Sequence, residues 1–168
     1  MNRVEHSPLT ATARGTCIIA AIALAALLAG CAPKDWRPGT SLSGSDAPWP
    51  ADWRFTDAAK EIQIQVHTPF VIPHSVTIWC AEVDGALYVG ASQPKKKYWP
   101  GWVDRDPNVR LSIDDKIYAA RLVPLEDPDT TARVRAAYAT KYALNAAAGE
   151  AMGEVRYWHV VAPDTTSS

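Results

Sequence analysis

Between residues 61 and 125, apolar and polar side chains alternate in short runs, and a period of two is the mark of half-buried strands. Ile62, Ile64 and Val66 share one face of the first run, with Gln63 and Gln65 on the other. Pro69 and Pro73 interrupt it. Two β-rich runs follow, Ser75 to Glu82 and Ala86 to Ser92, flanking Val83, Asp84 and Gly85. Asp-Gly between such runs predicts a tight antiparallel hairpin, because glycine accepts the positive φ that the turn requires. A second hairpin is predicted from Asn108 to Leu125, with Val109, Leu111 and Ile113 on one face and Asp114-Asp115 at the turn. The period then changes. Asp127 reads as an N-cap, Pro128 as the first helical position, and Val134, Ala137, Tyr138 and Tyr142 fall along one helical stripe. Tyr157 to Val161 reads as a closing strand.

These elements predict a mainly β chain with α structure (α+β): about six antiparallel strands and one main helix after the fifth. A sheet of this size curls into a small barrel, since closure removes exposed edges.

The N-terminus follows another pattern. Arg3 and Arg14 precede an apolar run from Cys17 to Ala29, too short to span a bilayer and shaped like a signal-peptide core. It ends in Leu28-Ala29-Gly30-Cys31, which resembles the bacterial lipobox and implies removal of residues 1–30 and lipidation of Cys31. The alternative is an ordinary secretion signal with Cys31 as a bystander. Ala32 stands where an aspartate would retain such a protein at the inner membrane, so the resemblance implies a periplasm-facing anchor in the outer membrane. Residues 31–54 are rich in proline, glycine and serine and read as a flexible tether. Trp36, Trp49 and Trp53 within it could pack on the domain or lie at the membrane interface. The domain is then expected over 55–163, and residues 164–168 as a disordered tail.

The formal net charge of -1 argues against a general nucleic-acid binder. Cys17 leaves with the signal and Cys31 takes lipid, so Cys80 stands alone and an internal disulfide is excluded. Cys80, Tyr88 and Tyr118 lie on predicted strands and read as core. His67, His74 and His159 lack the spacing of metal ligands, and no nucleophile-elbow or phosphate-loop motif occurs.

One stretch carries candidate chemistry. From Ser92 to Trp102 the chain places Lys95, Lys96 and Lys97 beside Tyr98, Trp99 and Trp102, between Pro94 and Pro100. A small anionic aromatic ligand needs cations, a flat apolar surface and a small polar donor. Lys95 and Lys97 supply the first, Trp99 and Trp102 the second and Ser92 the third. The same lysines read equally well as a solvated loop guarding a sheet edge, and the tryptophans as packing.

The order of these segments, from Glu61 to Val161, resembles the split β-barrel group of pyridoxamine 5'-phosphate oxidase-like flavoproteins and deazaflavin-dependent nitroreductases. The resemblance is carried by Trp99 with Asp106-Pro107-Asn108-Val109, by the strand pair around Tyr88, and by Ala137-Tyr138 to Lys141-Tyr142. It implies FMN or a related flavin or deazaflavin at a barrel edge, with Lys97 nearest the family's position and Lys95 on its side. It also implies oxidoreductase chemistry and a homodimer. Val89-Gly90-Ala91 departs from the pattern by lacking the arginine that many members present to the phosphate, and Arg110 or Arg121 are the available substitutes. Two readings stay open: a lipid-anchored, FMN- or deazaflavin-dependent oxidoreductase, or a non-catalytic envelope lipoprotein without cofactor that binds another small ligand or a protein partner.

Overall fold

Two tight turns organise the sheet. Asp84 and Gly85 both adopt positive φ (53° and 83°), as do Asp114 and Asp115 (49° and 60°), the geometry whose twist matches paired strands. The computed structural model describes residues 41–69 and 72–164. The expected signal segment (residues 1–30), Cys31, Trp36 and residues 165–168 lie outside the described residues.

The strands are β1 (Ser45–Asp46), β2 (Ile62–Val66), β3 (His74–Ile78), β4 (Cys80–Val83), β5 (Ala86–Ser92), β6 (Asn108–Ile113), β7 (Lys116–Pro124) and β8 (Val155–Val161). The helices are α1 (Trp99–Val103), α2 (Pro128–Lys141) and α3 (Ala146–Met152), with 3-10 turns at Arg54–Ala58 and Pro94–Lys96. The class is α+β, as expected. The sheet has 8 strands in the order β3-β2-β6-β7-β8-β5-β4, with β1 added beside β7. Six were expected, and the difference has two causes. One expected strand, from Ser75 to Glu82, changes partner midway: His74–Ile78 pairs with β2 and Cys80–Val83 with β5. The two ends of the sheet are thus consecutive in the chain and are joined through Trp79. The side-chain alternation runs across the joint, with Ile78 and Cys80 both in the core.

The second cause is β1. Residues expected to belong to the flexible tether are, from Leu42 onward, laid on the sheet. The Leu42 N–H donates to Gln65 Oε1 at 2.9 Å, Ser45 and Asp46 pair in parallel with Lys116 and Ile117, and the Trp53 N–H donates to Gly85 O at 3.0 Å. Trp53 is buried and meets Trp49 edge-on at 5.1 Å and Tyr118 at 5.3 Å. Of the two alternatives for these tryptophans, Trp53 packs on the domain.

The interior of the curled sheet holds Ile64, Val66, Leu87, Val89, Leu111, Leu122 and Trp158, each about 1% exposed or less. A second apolar cluster lies on the outer face, where α2 covers Ala81, Tyr88 and Tyr157 with Val134 and Tyr138. The expected helical stripe is therefore the buried one. The Asp127 carboxylate caps α2 by accepting the Thr130 N–H at 2.7 Å. Cys80, Tyr88 and Tyr118 are buried core residues, as their pattern implied.

Candidate ligand-binding edge

The end of the sheet where β5 stops and β6 begins is built by the lysine-aromatic stretch. Gln93 takes a left-handed conformation (φ 48°) and its N–H donates to Glu154 O at 2.7 Å, which fixes where the chain leaves β5. Pro94 then starts a 3-10 turn and Pro100 sits in the first turn of α1, positions where the missing proline N–H costs nothing. The segment expected as an open loop is thus two short helical turns.

These turns separate the candidate residues. Trp99 points inward: it is 4% exposed and its ring lies 5.1 Å from that of Trp158 in the core. The expected stacking on a ligand is not what this placement offers, because the ring is packed in the apolar core. Trp102 is half-buried, edge-on to His74 at 4.9 Å and stacked on the exposed Tyr98 at 6.0 Å. Ser92 ends β5, half-buried and paired in register with Val155. Lys95, Lys96 and Lys97 are exposed; Lys95 faces Glu154 at 3.6 Å, while Lys96 and Lys97 have no ion-pair partner among the described residues. The structure therefore brings Lys97, Tyr98 and Trp102 together at one edge and removes Trp99 from it.

Two anchors hold α1 in place. Asp104 at its C-terminus forms a bidentate pair with Arg156 at 2.9 and 2.7 Å, and that guanidinium lies 4.8 Å from the Trp158 ring. Asp106 donates its N–H to Trp102 O at 2.9 Å, and its carboxylate meets His67 Nδ1 at 2.6 Å. Burial pushes the Asp106 carboxyl up, but hydrogen bonds from His67 and Asn108 outweigh it and hold the group below its usual range. The pairing leaves His67 Nε2 pointing away from Asp106 on a half-exposed ring. Sequence reasoning missed this pair because its members are 39 residues apart and only the β2–β6 pairing brings them together.

The arginines offered as phosphate ligands lie elsewhere. Arg110 pairs with Asp46 and Arg121 with Asp164, each at 2.5 Å, on the outer face of β6 and β7. At the opposite end of the sheet, a shallow cavity of about 260 Å³ is lined by Trp49, Trp53, Gly85, His159 and Val161. That is below the roughly 300–1,000 Å³ of pockets that enclose a drug-sized ligand. His159 stacks on Tyr88 at 5.0 Å, and burial holds its imidazole below the usual range. Among the described residues no cluster of metal-ligand type occurs, and no helix is long and apolar enough to cross a membrane.

The model of the family described as uncharacterized protein conserved in bacteria (DUF2255) matches residues 54–158. No curated protein matches. Among solved structures, the conserved hypothetical protein Rv2991 from Mycobacterium tuberculosis aligns at a TM-score of 0.54 and 18% identity, covering 64% of this chain and 76% of that one. The heme storage protein HutZ from Vibrio cholerae aligns at 0.50 and 12%, covering 66% and 86%. A FAD-binding protein from Mesorhizobium loti aligns at 0.48 and 14%, covering 64% and 82%. At such identities the likeness is one of fold.

Proposed function

The chain belongs to the bacterial family DUF2255, and from that premise we propose that its split barrel binds a planar anionic ligand of the flavin class, FMN or a deazaflavin, at the Lys97–Tyr98–Trp102 edge. The observation that carries this reading is the stacked pair of Tyr98 and Trp102, with interplanar angle 21°, directly after two exposed lysines without carboxylate partners. A flavin needs both a flat surface and compensation of its phosphate. The residues present fit that demand: Lys96 and Lys97 supply charge, Tyr98 and Trp102 supply ring surface, and Ser92 supplies a small hydroxyl at the end of β5. When bound, such a cofactor supplies hydride and electron transfer, which would make the protein an oxidoreductase. The chain's own contribution is to orient the ligand and to present His67, held by Asp106, at the same end of the sheet.

The envelope setting is part of the proposal. Cys31 follows a lipobox-like sequence, so the domain is read as lipid-anchored in the outer membrane and facing the periplasm. A homodimer that completes the ligand edge from a second copy belongs to the same reading, since one chain offers an open surface there instead of an enclosing pocket. The rival reading, a non-catalytic envelope lipoprotein that binds another small ligand or a protein, is favoured by one observation: β5 runs Ala86–Ser92 without an arginine.

The test is to purify the full chain, record its visible spectrum, and titrate FMN while following flavin fluorescence. Saturable quenching that weakens in Lys97→Ala supports flavin binding; a colourless protein that leaves flavin fluorescence unchanged favours the rival. Loss of lipid labelling in Cys31→Ala tests the anchor separately.

A further inference from the structure

The end of the sheet that carries α1 combines exposed apolar surface with basic side chains. Tyr98 is 67% exposed and Ile72, on the turn between β2 and β3, is 53% exposed. The two are connected through a row of rings. Tyr98 stacks on Trp102, Trp102 meets His74 edge-on, and His74 opens β3 just beyond Ile72. Around this row stand Lys95, Lys96, Lys97 and Arg105, all exposed.

Three carboxylates at this end are engaged, and Glu150 of α3 is exposed and in none of the ion pairs among the described residues. Asp104 is held by Arg156, Asp106 by His67, and Glu154 faces Lys95. Lys96, Lys97 and Arg105 have no ion-pair partner among the described residues, so the local surface carries uncompensated positive charge on a chain whose formal net charge is -1. At the opposite end Asp114 and Asp115 stand at one hairpin turn beside Lys116, while Asp84 at the other turn is paired with Arg133.

Exposed aromatic and aliphatic side chains flanked by lysines match the interface of an anionic bilayer. Amphipathic rings settle at headgroup depth there, and each lysine near the surface gains from the negative potential. We infer that the α1 end is a membrane-docking face: Tyr98 and Ile72 enter the interfacial region of an anionic phospholipid bilayer, with Lys95, Lys96 and Lys97 against its phosphates. Ten residues separate Cys31 from Leu42, the first residue seen bonded to the sheet, and a chain of that length reaches up to about 33–36 Å. An anchor at Cys31 therefore leaves either end of the domain free to turn toward the bilayer. The inference uses the proposed lipid anchor only to bring a membrane within reach; the docking face stands on its own composition. It also makes docking and flavin binding compete, because both use Lys97 and Tyr98.

The test compares binding of the full chain to phosphatidylcholine vesicles with and without added phosphatidylglycerol, in the absence of FMN. Any attraction of the apolar N-terminus is common to all variants, so the comparison is between variants. The wild type is expected to favour the anionic vesicles by about fivefold for each contributing lysine, and to lose the preference at high salt. The Lys95→Glu, Lys96→Glu, Lys97→Glu triple variant should lose the preference. Lys116→Glu, at the opposite end, should keep it, with thermal melts confirming that both are folded. Tyr98→Ala should weaken binding to both kinds of vesicle. Equal partition of the wild type into both vesicles, or a triple variant that matches it, overturns the inference. Because FMN is absent, failure of flavin binding leaves this result untouched. Where both readings hold, added FMN releases the protein from anionic vesicles.

Discussion

Tyr138 donates its hydroxyl to Trp79 O at 2.9 Å, and Trp79 is the residue at which the sheet's two ends are joined. The helix α2 thus fastens the point where one strand changes partners. Tyr142, one turn on, stacks on the Trp79 ring at 4.2 Å and bonds to Cys80 O at 2.9 Å. Desolvation by burial is the main cause that pushes the Tyr142 phenol up to about 12, so it stays neutral and able to donate throughout the physiological range.

Tyr138→Phe removes a hydroxyl bonded to Trp79 O and, at 3.3 Å, to Tyr88 O. Tyr138 is 3% exposed, so both carbonyls lose a partner where water does not easily replace it. The expected loss is about 1–2 kcal/mol of stability, read as a lower urea midpoint with an unchanged slope.

Gly44 and Gly101 make a matched pair. Gly44 has φ +144°, and a Cβ there would lie 2.5 Å from Asp115 O; around Gly101 nothing lies within 4 Å. Gly44→Ala is expected to cost on the order of 1–3 kcal/mol and to free the β1 segment, seen as faster hydrogen exchange of the Ala47 N–H that now bonds Ile117 O. Gly101→Ala, on the exposed side of α1, should be neutral or stabilising.

What was legible in the sequence was whatever depends on neighbours along the chain. The alternation of Ile62, Ile64 and Val66, the Asp84-Gly85 and Asp114-Asp115 turns, and the capped stripe of Val134 and Tyr138 all rest on local periodicity, and all are present. What was hidden depends on distant partners. Ser45 and Asp46 have no strand pattern of their own and pair only because the edge of β7 is open beside them. The change of partner at Trp79 leaves no trace in side-chain alternation. In the candidate edge, the directions of the side chains were not readable. A helical turn at Pro100 sends Trp99 into the core and leaves Trp102 and Tyr98 outside, and an extended loop would have given a different division.

The Asp106 carboxyl gives a pH signature. Its folded pKa lies below the ordinary value, so its contribution to stability is present above the unfolded pKa of about 3.9 and is lost as pH falls through the folded value. The difference in melting temperature between wild type and Asp106→Asn should therefore shrink as the pH falls below about 4. A difference that grows in acid would reverse the sign.

Arg156 does more than pair with Asp104. The pair is partly solvated, with side chains 35% and 47% exposed, so Asp104→Ala is expected to cost at most about 1 kcal/mol. Arg156→Ala also strips the Trp158 ring of its guanidinium cover and should cost more. Chemical denaturation of the two variants side by side gives the order.

The central claim is that a flavin-type ligand lies on Tyr98 and Trp102 and not on the buried tryptophans. Indole N–H signals in a nitrogen-15 spectrum report each tryptophan separately during an FMN titration. The account predicts a saturable shift of the Trp102 signal, with Trp53 and Trp158 unmoved, and about tenfold weaker binding in Lys97→Ala. An unmoved Trp102, or a shift confined to Trp49 and Trp53 at the opposite end, would contradict it.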